Sequence, residues 1–307
     1  MALSTAARRP QARGALDTEL DSKRWLTHPT ELRVHILRAF GDELAQLKNA
    51  SVAFEAVSKS DDVAIRFRLM APAAVLAVHG SAAARRFLED GLEDPQSAFL
   101  RTEAARQAAL VGALSESLAR STMDLEPRVR EAACMSLGKN PASSTSATVA
   151  LLERLAHDTW TFVRAAAARA LGQLSVGRNA DQSLALALHD PAPHVREEAI
   201  AALNAHNAKA HMDDIRSRAW DPAEVSGVRV RAFETLAAWC DKDSVERWLT
   251  LARPSQGSHL DPELLRAAFR AAMRVDPART QKMIQTLPAE IRAQLRRLSP
   301  VEPCGSI

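Results

Sequence analysis

The 307-residue chain has no tyrosine, and its whole aromatic share is 4%. So thin a supply excludes the aromatic stacking platform used by single-strand nucleic-acid binders. Charge of one sign is missing too. Forty Lys and Arg stand against 37 Asp and Glu, a net +3, which is far from the field of a dedicated nucleic-acid binder. Long hydrophobic runs are absent, and the apolar stretch at residues 184–188 is too short to cross a membrane. Residues 1–15 place no hydrophobic segment behind Arg8 and Arg9, so they read as a disordered basic arm and not as a secretory signal. Cys134, Cys240 and Cys304 show neither metal-ligand nor redox spacing. Cys134 and Cys240 are expected in or beside helix cores. So few cysteines suit a reducing compartment, and the cytoplasm is the expected location. No Gly-rich phosphate loop, Ser-His-Asp order or zinc spacing is visible. No catalytic residue, metal ligand or cofactor is therefore assigned, and the chain is expected not to be an enzyme.

What the sequence does contain is a repeat. A seven-residue phrase runs from Asp124 to Arg130, from Asp158 to Arg164 and from Asp190 to Arg196, with Val just before each Arg. Ala follows three residues after the Arg (Ala133, Ala167, Ala199) and Leu seven after it (Leu137, Leu171, Leu203). Weaker copies place the mark at Arg33, Arg66, Arg101, Arg229 and Arg266. Successive steps are 33, 35, 29, 34, 32, 33 and 37 residues, and the loop at residues 253–259 accounts for the widest. A period near 33 fits two short helices and two turns, stacked so that no single unit has a core of its own. Apolar residues at −1, +3, +4 and +7 share one face of a second helix, predicted to start within about two residues of the mark. The Asp of the phrase lies at the turn and is predicted to cap that helix, with Pro127 and Pro193 favouring its start. Two short helices split at Pro288 are predicted to close the stack.

This pattern resembles HEAT repeats, the short type typified by phycobilisome-lyase-like repeats. Asp124 with Arg130, Asp158 with Arg164 and Asp190 with Arg196 match the spacing of that family. Leu137-Gly138 and Leu171-Gly172 match its second-helix ending. Two departures stand out: Ala223 where the seventh copy should carry Asp, and Pro72 interrupting the second helix of the second copy. The resemblance implies an all-α, right-handed α-solenoid of about eight helix pairs. It is expected to be one array over residues 16–298, with a frayed tail at 299–307. The family hosts scaffolds, adaptors, lyases and a few enzymes, so fold alone does not name a function.

Two readings compete for the arginines of the phrase. They could form a basic stripe for an acidic partner, or a structural ladder in which Arg130, Arg164 and Arg196 meet the turn residues Asp124, Asp158 and Asp190 of their own or adjacent repeats. The ladder is preferred, because stacking brings opposite charges together at each turn. The exposed stripe of the second helices carries Arg38, Arg106, Arg169, Arg231 and Arg270, with Glu197 and Glu198 in its middle. The resemblance implies that these helices line a concave face. Acids in the middle disfavour nucleic acid, so the expected partner is a protein or peptide; a solvated face without a partner is the alternative. Trp160, with Phe162, stands in a turn where neighbouring copies have Pro or polar residues, and either packs on the next turn or offers a contact spot. Trp220, Trp239 and Trp248 are read as helix-packing residues.

HEAT-type hydroxylases of deoxyhypusine hold iron with His-Glu pairs, and none of the nine His here precedes a Glu. The expected function is a non-catalytic scaffold or adaptor. The alternative is an enzyme on the same repeats, either a bilin-lyase-like chromophore handler or a nucleic-acid repair glycosylase.

Overall fold

A computed structural model describes residues 10–21, 23–140, 142, 144–175, 178–251, 261–295 and 302–305. Among them there is no strand. The chain is an all-α solenoid of HEAT-like helix pairs. It divides into two compact units, Met1–Arg154 and Leu155–Ile307.

In the first unit the helices are α1 (Pro10–Asp21), α2 (Lys23–Thr27), α3 (Thr30–Phe40), α4 (Ala50–Ser58), α5 (Val63–Val78), α6 (Ala82–Leu92), α7 (Ala98–Gln107), α8 (Ser115–Ser121) and α9 (Pro127–Lys139). Helix α10 (Thr145–His157) follows across the boundary of the units. The second unit continues with α11 (Thr161–Gln173), α12 (Arg178–Ala187), α13 (Pro193–Ala205), α14 (Met212–Trp220), α15 (Ser226–Ala238), α16 (Val245–Thr250), α17 (Pro262–Val275), α18 (Pro277–Thr286) and α19 (Ala289–Leu295). The arginine marks all fall on second helices: α3, α5, α7, α9, α11, α13, α15 and α17. These helices open three residues before the mark, and four before it in α17, slightly earlier than predicted. The turn is that short because Pro127 and Pro193 already hold helical backbone angles at the first helical position.

Second helices stack on second helices, and each first helix covers its partner. In the first unit α5 lies along α7 and α7 along α9; in the second unit α11, α13, α15 and α17 follow one another. The residues at −1, +3, +4 and +7 make the core: Val163, Ala167, Ala168 and Leu171 are fully buried, as are Val195, Ala199, Ile200 and Leu203. Small residues let the backbones approach. A Cβ on Gly172 would stand 2.8 Å from the Cα of Ala202, so the Leu-Gly ending of the repeat is a packing requirement here.

Several expectations are corrected. Pro72 does not interrupt its helix: α5 runs through it, with Pro72 buried. A proline removes one N–H from a helix interior, and the surrounding packing holds the rest. Residues 10–15, expected to be disordered, are the opening turns of α1; residues 1–9 lie outside the described residues, as does the loop at 253–259. The tail was expected to fray, yet Cys304 is joined to Cys240 by a disulfide and donates its N–H to the Arg274 carbonyl at 2.8 Å. That pairing also removes the cysteine-spacing argument for a reducing compartment. Cys134 is buried in α9. No described helix is long and apolar enough to cross a membrane.

Candidate binding surface

The turn charges come first, because they decide which side chains are spent on the fold. Arg164 donates from Nε and Nη2 to both carboxylate oxygens of Asp190, at 2.7 and 2.9 Å. Asp190 belongs to the turn of the next pair. The third arm, Nη1, donates to the Asp158 carbonyl of its own turn at 2.9 Å. Asp190 Oδ1 also accepts the Ala192 N–H at 2.8 Å. One arginine thus ties its own turn to the next, with both groups about nine-tenths buried. Arg101 treats Asp124 and the Asp94 carbonyl in the same way, and Arg66 reaches Asp94. Arg130 donates to the carbonyls of Asp124 and Leu125. Asp158 accepts the Trp160 N–H.

The predicted capping role is refined by this geometry. Asp124 does not cap α9. Its Oδ1 accepts the N–H of Glu126, which is the capping residue and makes no side-chain cap of its own. The carboxylate is placed one step outside the helix, where it can meet the guanidinium. At the seventh copy the missing Asp is supplied one residue later: Glu224 accepts Arg196 at 2.8 and 2.5 Å and the Val225 N–H. The longer Glu side chain makes up the one-residue shift, a substitution that spacing alone did not reveal.

Electrostatics follow the geometry. Burial by itself would raise the carboxyls of Asp94 and Asp124. Hydrogen bonds from Arg66 and Arg101 outweigh it and hold both below the usual carboxylate range. The bond to Asp124 raises Arg101, and the bond to Asp190 raises Arg164. Arg229 differs. Its Nε donates to the Ala219 carbonyl at 3.2 Å, and burial lowers its pKa.

The predicted stripe is divided. Arg169 is held by both oxygens of Glu198 on the neighbouring helix. Arg231 pairs with Glu234 at 3.0 Å and Arg106 with Glu103 at 3.7 Å. Arg38 and Arg270 are exposed. Thr102, one residue after the mark at Arg101, is buried. Trp160 precedes α11, half-exposed, with its ring centroid 5.5 Å from that of Phe162. Trp220 and Trp248 flank Phe233 at 4.9 and 6.1 Å, with Arg247 over the Trp220 ring, a packing cluster. Among the described residues no three His, Cys, Asp or Glu side chains are grouped as metal ligands.

One feature of the stripe was not anticipated. Between α15 and α17 lies an open groove of about 400 Å³. Val230, Ala237, Ala267 and Ala271 line it together with Glu234, Glu263, Arg266, Arg270 and Arg274. Arg270 was picked out by its position. Arg266 was read only as a repeat mark and Arg274 was overlooked, although the i, i+4, i+8 spacing of three arginines was legible in the sequence.

Residues 113–204 match the family described as HEAT repeats. No curated protein matches the chain. Among solved structures, human deoxyhypusine hydroxylase in complex with glycerol is similar at 19% identity, over 87% of this chain and 96% of that one, with a TM-score of 0.37. The expectation that this chain is not an enzyme is withdrawn on that finding. That protein is an enzyme, and a likeness at this TM-score says nothing about catalysis by this chain. Residues 113–204 match HEAT repeats, and the helix pairs on either side repeat the same two-helix unit, so the fold is an all-α solenoid.

Proposed function

We propose that this chain is a binding scaffold that holds a protein or peptide partner on the exposed faces of its second helices. The observation that supports this most is the division of charge. Arg66, Arg101, Arg164 and Arg196 are consumed by neighbouring turns, whereas the second-helix stripe of the last pair keeps an open groove with three exposed or half-exposed arginines. Polar rims around small apolar floors suit a protein contact. The mixed signs of the stripe, with Glu198 and Glu234 among its arginines, disfavour a phosphate backbone as partner.

A photo-crosslinking residue placed in turn at 38, 106, 231 and 270 tests the reading, with positions 153 and 186 on first helices as controls. A single protein partner recurring at the stripe positions supports it. Cross-links confined to the first helices, or none at all, contradict it. The proposed compartment is the cytoplasm, tested by the state of Cys240 and Cys304. Free thiols in freshly isolated protein agree with it, and an intact disulfide places the chain in an oxidising compartment.

A further inference from the structure

The three arginines of α17 carry a more specific statement about that partner. Arg266, Arg270 and Arg274 recur every four residues, so they stand one above another at steps of about 6 Å along one helix face. Elsewhere on the stripe of this unit the arginines are neutralised within the chain, Arg169 by Glu198 and Arg231 by Glu234. Among the described residues no carboxylate lies within ion-pair distance of the three on α17. Arg274 also has a buried Nε–H with no acceptor, and a buried donor left unmatched is costly until something supplies an acceptor. The apolar residues of the groove are Val and Ala, small side chains that leave room for a backbone.

We infer that this groove binds an extended acidic peptide segment, with Asp or Glu at alternate positions meeting Arg266, Arg270 and Arg274. The inference rests on the partner reading above and gives that partner a chemistry. An extended chain presents every second side chain on one face, at about 6.6 Å, close to the spacing of the arginine ladder. Guanidinium forks match carboxylates in two-pronged fashion. Glu234 and Glu263 also line the groove and can accept the N–H groups of a peptide backbone, which a sugar-phosphate backbone lacks.

The test uses the full chain and a fluorescein-labelled octapeptide alternating Glu and Ser, read by anisotropy. Saturable binding that weakens with added salt is expected. The combined variant R266Q/R270Q/R274Q should weaken it by about tenfold or more, equivalent to about 1.4 kcal/mol. R128Q, an exposed change on α9 outside the groove, should leave it unchanged. If the combined variant melts early, R270Q alone is read instead, with about a threefold loss expected. No binding to the unaltered chain, equal binding by the variants, or tighter binding of oligothymidylate than of the peptide overturns the inference. Stripe cross-links that persist while the peptide fails leave the scaffold reading standing and remove only its acidic-peptide form. Loss of the cross-links as well removes both.

Discussion

The regular rungs of the second unit and its last helix pair handle arginine differently. Ahead of α13 and α15 the rule holds: Arg164 and Arg196 each clamp the turn acid of the following pair and the carbonyl of their own turn. At the last pair it lapses. Arg229 turns back to the Ala219 carbonyl of α14. The acid of the next connection, Asp241, is instead clamped by Arg216, which stands on α14 and also meets Asp213 and Asp243. What persists is the buried carboxylate with a two-pronged donor; which helix supplies the donor is free to change. A disulfide and the Cys304 N–H fasten the C-terminal segment to the turn after α15 and to α17. Among the described residues the arginines of α17 have no carboxylate within ion-pair distance, and that is where the groove lies.

The largest way to break the comparison is through the core beneath the regular rungs. Leu171 is fully buried. Leu171→Asp places an unpaired charge between α11 and its neighbours and should cost about 4 kcal/mol or more, read by chemical denaturation. Met273, at the matching place on α17, is only half-buried, so Met273→Asp should cost about 1–2 kcal/mol. Equal losses would mean that the last pair is packed like the others.

Asp241 comes next. It is 3% exposed and accepts from Arg216, Ser244 and the Asp243 N–H. Asp241→Ala leaves Arg216 without its main partner, a loss of about 3 kcal/mol. Burial pushes the Asp241 carboxyl up, but the bonds from Arg216 and Ser244 overcome this and leave it lowered. A depressed carboxyl adds stability above its unfolded value of about 3.9 and loses it as pH falls through the folded value. The melting temperature should therefore hold from pH 7 to about 5 and drop below about 4. Asp241→Asn should drop less steeply in that window than the unaltered chain; an unchanged acid slope would show that the clamp contributes nothing through ionisation.

These effects also mark what the sequence made legible. The period, the helix pairs and the apolar positions could be read because Val, Ala and Leu recur at fixed offsets from an arginine that must stay in phase with the turn. Glu224 escaped because a side chain one methylene longer reaches the same place from the next position. Arg216 escaped because a clamp supplied from a first helix has no place in the repeat. The tail escaped because a disulfide across 64 residues leaves no trace in local spacing. Arg169 was read as exposed, and it is, but its tie to Glu198 on the next helix depends on stacking and not on spacing.

The smallest effect sharpens the comparison at that residue. Arg169 is 43% exposed at the side chain, so its ion pair is screened by solvent. Arg169→Glu places it against Glu198 and should lower stability by about 1 kcal/mol or less. A loss as large as that of Leu171→Asp would mean that the inner and outer faces of α11 have been misassigned.

The central claim is that turn arginines hold the fold while the arginines of α17 are spared for a partner. Thermal melting of Arg164→Gln and Arg270→Gln, each with and without the alternating Glu-Ser peptide, tests it most directly. Arg164→Gln should melt earlier, by about 2 kcal/mol of lost stability, and still be stabilised by the peptide as the unaltered chain is. Arg270→Gln should melt with the unaltered chain and lose most of the stabilisation by the peptide. The reverse pattern, with Arg270→Gln melting early and Arg164→Gln indifferent in stability but blind to the peptide, would contradict the division of labour.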